Sequence, residues 1–399
     1  MRQAGASTIL RIAEAFPPPQ TADSCGSAND RTERILLGCV ACLYLPLIFA
    51  GAGSNPDSIR ELHSGVVMLR EHRYVMSRPP GYFPYELLCG ILYAAGGVVT
   101  SNLASMLMSL ALLDSFVRIC AHFEVPHRHL LAATMALHPV YWAASTSTID
   151  FIWALGCFFI GFRLLTEERY AGAAVMLALA IGIRLASVLM VAPLLIFQLL
   201  GKPRDPRILA TCAATTALAA ALYLPEFVAS GNTLQFLTCY RSTWTTTDYL
   251  GRFLYKNLYF WGLPAAIFLG AGLPSAIGRL LRGDRKFVPI AMLAGAILLA
   301  IEALFLGLPV QRSYLLPMLP FLLILLGIAF ADRRWILSTL LLLVCSFDFV
   351  NLNLARPDVP DHATRARPGF FVERGALIDD VATRLARARR PLQTTPDFP

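Results

Sequence analysis

The sequence is a succession of long apolar runs that are separated by short polar turns. Eleven runs are long enough to be membrane-spanning helices, and they cover residues 35–52, 102–121, 130–147, 151–166, 170–183, 185–200, 208–225, 257–275, 287–306, 313–330 and 335–351. A helix needs about 20 predominantly apolar residues to cross a bilayer. The pattern therefore predicts an all-α, polytopic transmembrane bundle of about eleven spans that occupies residues 35–351.

A twelfth apolar run, residues 85–100, is short and contains three glycines. If this run does not cross and the N-terminus is cytoplasmic, thirteen Arg and Lys residues lie in cytoplasmic turns, and the short outer turns hold only Arg184 and Arg312. If it does cross, the same residues lie outside, which violates the positive-inside rule. We therefore expect residues 85–100 to form an interfacial or re-entrant helix, with 1–34 cytoplasmic and the tail 352–399 non-cytoplasmic.

Composition and charge agree with this topology. Apolar residues make up 56% of the chain and charged residues only 15%, against about 25% charged in soluble domains, which excludes an ordinary soluble protein. The net charge is +8, but the basic residues are scattered at the ends of apolar runs and form no stripe. The charge is thus a topology signal, and no nucleic-acid partner is expected.

Three segments on the predicted outer side are long enough to contribute to a site: 53–84, 226–256 and the tail 352–399. The segment 226–256 is rich in aromatic residues and cations. It is interpreted either as an interfacial aromatic belt or as a lid that closes on a substrate. The tail contains an amphipathic helix near 373–390 with apolar residues Ala376, Leu377, Val381 and Leu385, which we expect to lie on the membrane surface.

Charged side chains near the membrane are costly, so those that remain are the first candidates for function. Six of them collect at the predicted outer ends of spans: Asp57, Asp150, Arg184, Glu302, Arg312 and Asp348. Structural pairing, for example of Arg184 with Glu302, is the alternative explanation. Asp114 and Arg118 have i,i+4 spacing and are interpreted as a structural ion pair.

Four outer motifs follow one another along the chain. The first begins Asn55-Pro-Asp57 and continues through a helix of about fifteen residues to a Pro-Pro-Gly-Tyr-Phe-Pro stretch. It is followed by Pro139 to Asp150, by Gly182-Ile-Arg184, and by Gln311-Arg-Ser-Tyr314 with its Leu-Leu-Pro-x-x-Pro continuation. Together they resemble the outer loops of the GT-C superfamily of integral-membrane glycosyltransferases, which includes protein O-mannosyltransferases and the lipid A aminoarabinose transferase.

This resemblance implies a polyprenyl-phosphate sugar donor and a single inverting displacement on the outer face. Asp57 is then the expected general base, and Asp150 the second catalytic residue. The leaving phosphate favours guanidinium and ammonium partners, and the candidates are Arg184, Arg312, Arg241, Arg252 and Lys256. Candidate substrate contacts are Tyr82, His63, Tyr314 and Trp244.

No cofactor and no metal ligand set are predicted. The metal requirement stays open, because many relatives have two adjacent acids where this chain has Asp57-Ser58. The expected partners are the lipid-linked donor, a lipid or glycan acceptor and membrane lipids. The alternatives are a transporter or flippase for a lipid-linked saccharide, and a polysaccharide polymerase or ligase. The preference for Arg over Lys indicates a bacterial inner membrane as the location.

Overall fold

The structure is a computed structural model that describes residues 26–234, 245–267, 270–271, 274, 278, 285–329, 348–353, 369–374 and 376–388. Helices dominate these described residues. In chain order they are α1 Gly26–Tyr44, α2 Pro56–Glu71, α3 Phe83–His122, α4 Arg128–Leu137, α5 Pro139–Ser145, α6 Asp150–Thr166, α7 Tyr170–Ile183, α8 Val188–Gly201, α9 Pro206–Leu222, α10 Leu224–Ala229, α11 Thr246–Trp261, α12 Val288–Gly307, α13 Met318–Ala329 and α14 Ala376–Ala388. Four 3-10 turns join them at Leu45–Phe49, Leu185–Ser187, Arg285–Phe287 and Arg312–Leu315.

Four helical segments of the described residues are long and apolar enough to cross a membrane. They are Asp30–Phe49, Phe83–His122, Pro206–Ala229 and Val288–Gly307. A fifth is added if α5 and α6, which meet at 96°, are counted as one broken span. Shorter apolar helices lie at Tyr170–Ile183, Leu185–Gly201 and Met318–Ala329. The multi-pass helical architecture is therefore confirmed, whereas the count of about eleven spans is not.

Most of the predicted apolar runs form helices, with two notable differences. The run 130–147 is divided into α4 and α5, because Pro139 begins a new helix at the extended residue His138. Most of the run 335–351 lies outside the described residues, and its last positions belong to a β-strand that begins at Asp348.

The run 85–100 continues directly into the next one to form α3, a helix of 40 residues. At about 1.5 Å per residue a straight helix of this length would be about 60 Å long, twice the thickness of the hydrocarbon core. The helix is broken at Gly96 and Gly97, where Gly97 has a φ of 71° that favours glycine. The break lies inside the run 85–100, so only the part before Gly96 is separated from the helical part that contains the predicted span 102–121.

Helix α2 packs closely against the first part of α3. A Cβ atom on Gly65 would lie 2.8 Å from the Cα atom of Gly90, and one on Gly90 would lie 2.9 Å from the Cα atom of Gly65. The two backbones therefore touch where neither helix has a side chain. This contact fixes α2, which begins beside Asp57, against the bundle.

The centre of the bundle is an aromatic core. Phe116 of α3 packs on Phe159 of α6 with ring centroids 5.9 Å apart, and Phe159 also packs on Phe321 of α13 at 5.6 Å. All three side chains are fully buried. Edge-on and tilted aromatic pairs of this kind add to the energy of simple apolar burial, so this core holds α3, α6 and α13 together.

The tail differs from the all-α expectation. Strands β1 Asp348–Asn353 and β2 Gly369–Arg374 pair in an antiparallel ribbon, with Asp348 opposite Arg374. The tail helix α14 follows this ribbon. Of its predicted apolar positions Leu377 is buried and Leu385 is 47% exposed, and α14 is attached to the bundle by the buried side chain of Arg384.

Candidate functional site

Asp57 lies in the first turn of α2, where a proline and a polar cap begin the helix. The Asn55 side chain accepts a hydrogen bond from the backbone N–H of Asp57 at 3.1 Å, and Pro56 is the first helical residue. Both features are typical of helix N-termini. The start of α2 is thus fixed by local sequence, and the positive end of the helix dipole favours the Asp57 carboxylate.

Arg78 joins Asp57 to two further carboxylates. Its guanidinium forms an ion pair with Asp57 and donates from Nη2 to Glu61 Oε1 at 3.0 Å and to Asp150 Oδ1 at 3.2 Å. All three carboxylates are buried. Asp57 and Asp150, predicted from separate motifs, therefore belong to one charge cluster, consisting of Asp57, Glu61, Arg78, Asp150 and Arg184.

Arg184 completes this charge cluster. Its Nη1 donates to Asp150 Oδ2 at 2.6 Å, and its guanidinium carbon lies 3.8 Å from the centre of the Phe151 ring and 4.8 Å from that of Tyr314. Arg184 follows the last residue of α7 with an extended backbone, which directs its side chain to the start of α6. Arg184 is thus held by Asp150, and the suggested pairing with Glu302 is wrong.

Burial changes the acid–base properties of the cluster. Glu61 is fully buried, and its pKa is raised well above the usual range, first by desolvation and then by the carboxylates of Asp150 and Glu86. Burial also raises the pKa of Tyr82 to about 12, despite the lowering effect of Arg78. The Arg78 guanidinium carbon lies 4.7 Å from the centre of the Tyr82 ring, so Tyr82 forms one wall of the cluster.

Gln311 and Arg312 reach the cluster from the other end of the chain. Gln311 Nε2 donates to Asp57 Oδ2 at 3.0 Å, and its Oε1 accepts from Asn55 Nδ2 at 3.1 Å. The next residue, Arg312, lies over the ring of Tyr259 at 4.2 Å. The motif that begins at Gln311 therefore meets the Asn55 motif in space, more than 250 residues apart in sequence.

A cavity of about 60 Å³, lined by polar and apolar residues, lies next to the start of α2. Its lining consists of Ser54, Asn55, Ser58, Pro139, Val140, Ala143, Ala144, Ser147, Ile149, Phe151, Arg312, Ser313 and Asp380. Two of the lining groups, Ser58 Oγ and Arg312 Nη1, are buried and have no hydrogen-bond partner among the described residues. Unsatisfied buried donors are costly, so this cavity is suited to a ligand that accepts hydrogen bonds.

The remaining predicted site residues are more dispersed. Arg252 and Lys256 are buried on α11, the helix that also carries Tyr259, and His63 is half-buried on α2. Glu302 accepts a hydrogen bond from Asn257 at 3.4 Å. Arg241 and Trp244 lie outside the described residues. The structure therefore brings together Asp57, Asp150, Arg184, Tyr82 and Tyr314, with Arg312 beside them.

Sequence reasoning missed three members of the site, Arg78, Glu61 and Gln311. Arg78 and Gln311 stand inside the motifs that drew attention, and Glu61 lies one helical turn after Asp57. The spacing of Asp57 and Glu61 on one helix face was the available signal. Their common partner Arg78 could not be predicted from local sequence, because it is 21 residues from Asp57 and 72 residues from Asp150.

The fold is similar to that of a known membrane enzyme. The structure matches crystal structures of ArnT from Cupriavidus metallidurans in the apo state, with a TM-score of 0.52 and 16% identity, and bound to undecaprenyl phosphate, with a TM-score of 0.53 and 17% identity. Each alignment covers 76% of this chain and 60% of ArnT, so the chain spans well under two thirds of the protein that it matches. No family model and no curated protein matches its sequence.

ArnT is the lipid A aminoarabinose transferase, a GT-C glycosyltransferase. The resemblance that the four motifs indicate is therefore confirmed at the level of the fold. Because the sequence identity is only 16–17%, the match comes from the similar structures. The apolar helices and this fold together identify an integral membrane protein whose helical architecture is similar to that of a GT-C enzyme.

Proposed function

We propose that this protein is an inverting glycosyltransferase that transfers a sugar from a polyprenyl-phosphate donor to an acceptor hydroxyl on the outer face of the membrane. The observation that carries the proposal is a cavity lined by Arg312, whose Nη1 has no hydrogen-bond partner among the described residues, and by Asn55 and Ser58, which flank Asp57 in sequence. Gln311, the residue before Arg312, donates to the Asp57 carboxylate. The ArnT-like fold supports it, since one of the matched ArnT structures contains undecaprenyl phosphate.

Arg312 is the best candidate for binding the donor phosphate. A phosphate monoester leaving group needs charge-assisted donors, and guanidinium provides them in a planar fork. Arg312 has a buried N–H with no partner in the part of the chain that the structure describes, whereas Arg184 is already engaged by Asp150. Ser58 and Ser147 place hydroxyl groups on the same cavity. We therefore assign Arg312 first and Arg184 second, with Arg252 and Lys256 of α11 as further candidates.

Asp57 is proposed as the general base. Its Oδ2 accepts from Arg78 and Gln311, and its Oδ1 lies 3.5 Å from the half-exposed Arg60. The contacts of Oδ2 hold the carboxylate in place, and we propose that Oδ1 accepts the proton of the acceptor hydroxyl. A positioned base typically contributes about 10²–10⁴-fold to rate. Asp150 lies between Arg78 and Arg184, and we propose that it holds these two guanidinium groups in position.

The central experiment separates donor binding from transfer. Purified protein in nanodiscs is titrated with undecaprenyl phosphate, and membranes are incubated with candidate polyprenyl-phosphate sugars before mass spectrometry of the products. Arg312→Gln is expected to weaken undecaprenyl phosphate binding by about tenfold or more, the loss of roughly one charge-assisted contact. Arg169→Gln, which removes an exposed cation at the other end of α6, is the matched control and should bind as the wild type does.

Asp57→Asn is expected to bind undecaprenyl phosphate normally and to lose transfer by about 10²-fold or more. Full transfer by this variant would reject Asp57 as the base. Movement of labelled lipid-linked sugar across proteoliposomes without a new glycosidic bond would favour a transporter instead. Products elongated by many units would favour a polymerase or ligase.

A further inference from the structure

The tail helix α14 is attached to the two chain segments that carry the acids of the candidate site. Arg384 donates from Nη2 to Leu47 O at 2.8 Å and to Gly51 O at 3.1 Å. The same guanidinium bonds to the carbonyl and to the hydroxyl of Thr146, the latter at 3.1 Å. One side chain thus bridges the segment before Asp57 and the segment before Asp150.

These two segments are also bonded to each other and lead directly to the acids. The N–H of Thr148 donates to Ala52 O at 2.7 Å. From there only a few residues separate Ala52 from Asp57, and Asp150 follows Thr148 by two positions. A shift of either segment would therefore change the distance between the two carboxylates that share Arg78.

The Arg384 side chain is fully buried, and the position of its guanidinium depends on hydrogen bonds to other segments of the chain. Within the tail helix the guanidinium forms an ion pair with Asp380, which accepts from Nη1 at 3.2 Å. Burying a guanidinium is expensive unless its N–H groups are satisfied, and backbone carbonyls of two other segments satisfy them here. A helix that was held only by apolar packing would not need this arrangement.

A second arginine and the neighbouring acid extend the contact to the cavity. Arg387 Nη1 donates to Ser54 O at 2.7 Å, at the residue before the Asn55 cap. Asp380 lines the cavity that also contains Ser58 and Arg312. The tail helix therefore touches both the scaffold and the wall of the candidate site.

We infer that Arg384 is a positioning residue, which fixes the spacing of Asp57 and Asp150 by tying residues 47–54 to Thr146, and that α14 is an integral part of the site. Arg384 does not contact the reacting groups and acts through the two segments. The inference goes beyond the proposed function, because it states how the tail controls the geometry of the charge cluster, whatever reaction the cluster performs.

Hydrogen exchange of the full-length protein in nanodiscs tests the inference without any substrate. In Arg384→Met, amide exchange is expected to rise by about tenfold or more in peptides covering 47–61 and 143–152, because their shared ties open locally. Peptides covering 170–183, distant from the contact in sequence, are expected to keep the wild-type rate. Leu385→Ala, which truncates an exposed neighbour on α14, is the matched control and should leave all three regions unchanged.

A second pair of variants covers the case in which Arg384→Met does not fold. Arg387→Met removes the hydrogen bonds to the carbonyls of Gly53 and Ser54, and it is expected to accelerate exchange in 47–61 while sparing 143–152. Arg384→Lys retains the charge but cannot reach both segments with one ammonium group, so it is expected to show intermediate exchange in both. Guanidinium ion at low millimolar concentration is expected to restore part of the protection in Arg384→Ala, which a general loss of packing would not allow.

Three results would overturn the inference: unchanged exchange in 47–61 and 143–152, equal acceleration in every peptide of the protein, or the same acceleration in Leu385→Ala. Undecaprenyl phosphate titrations of the same variants give an independent readout, with weaker binding expected in Arg384→Met. If the wild type itself does not bind undecaprenyl phosphate, the proposed function fails, and the exchange experiment still decides the role of Arg384.

Discussion

At the scale of single residues, Arg78 determines whether the charge cluster can exist. Its guanidinium contacts Asp57, Glu61 and Asp150, and Arg184 provides the only other cation that contacts the last of these among the described residues. Removing one partner from a buried ion network leaves the others unpaired, which commonly costs about 3–5 kcal/mol. The cluster therefore depends more on Arg78 than on any one of its acids.

Arg78→Met is accordingly expected to lower the melting temperature in detergent, as followed by tryptophan fluorescence, by an amount equivalent to roughly 3 kcal/mol or more. Arg73→Met is the control, since Arg73 is exposed and, among the described residues, its one ion pair is with the nearby Glu71. Asp57→Asn in the Arg78→Met background is expected to recover part of the loss, because it removes an uncompensated charge. Equal melting temperatures for Arg78→Met and Arg73→Met would show that the network contributes nothing to stability.

Glu61 makes stability depend on pH in a direction set by its raised pKa. In the unfolded chain the Glu61 carboxyl has an ordinary pKa of about 4.3. In the folded protein burial raises its pKa, so the carboxyl keeps its proton to higher pH. Between these two values the folded state binds more protons, so the contribution of Glu61 to stability falls as pH rises. Glu61→Gln should remove this part of the pH dependence, and melting curves from about pH 5 to about pH 8 measure it. Identical slopes for wild type and variant would contradict the protonated state of Glu61.

At the scale of elements, the contact between α2 and α3 places the acids of α2 within reach of Arg78. Alanine at Gly65 or Gly90 would put a methyl group within 3 Å of the facing backbone, and overpacking of this kind costs about 1–3 kcal/mol. We expect Gly65→Ala to lower the melting temperature and to weaken undecaprenyl phosphate binding. Gly295→Ala in α12 has open space around the new atom and should do neither. Unaltered binding in Gly65→Ala would show that the site tolerates a shift of α2.

The sequence predicts those helices whose position is determined by the local pattern of apolar and capping residues. The run 170–183 coincides with α7, because it is an uninterrupted apolar run. The expected helix of about fifteen residues after Asn55 is the sixteen-residue α2, because the Asn55 cap and Pro56 set its start. The ribbon of β1 and β2 was missed, since two short strands in a polar tail have no distinctive periodicity. The pairing of Arg78 with Asp150 was missed for a different reason, because it is formed only when the loop between α2 and α3 meets the start of α6 in the folded bundle.

At the scale of the whole molecule, the charges lie at two levels joined by apolar helices. Asp150 begins α6, and Arg163, near its end, pairs with Asp114 at 2.6 Å; Asp114 also pairs with Arg118 at 3.1 Å as the spacing predicts. Thirteen residues of helix separate Asp150 from Arg163, which corresponds to about 20 Å. The interval between them holds Phe158, Phe159 and Phe162, all fully buried. The charge cluster that contains Asp150 and the group formed by Arg163, Asp114 and Arg118 therefore lie at opposite ends of one apolar core.

The charge of the turns predicts the side of the membrane on which the site lies. The turn at residues 202–207 contains Lys202, Arg204 and Arg207, and a turn of this kind is retained in the cytoplasm. We expect alkaline phosphatase fused after Arg204 to be inactive and a fluorescent protein at the same position to be fluorescent. At the C-terminus we expect the reverse. Because α8 leads from this turn back toward Arg184, a cytoplasmic turn places the charge cluster on the outer face.

The two fusion sites give distinguishable failures. If the reporter after Arg204 is active as a phosphatase, the charge cluster faces the cytoplasm, and the outer-face part of the proposed function is wrong. If that reporter is cytoplasmic and the C-terminal one is cytoplasmic too, the number of crossings after residue 207 is wrong while the site remains outside. In that second case α14 could not contact Thr146 across the bilayer, since Arg384 bonds to the segment next to Asp150, and the tail contact would be rejected. The topology measurement therefore tests the position of the site and the attachment of the tail together.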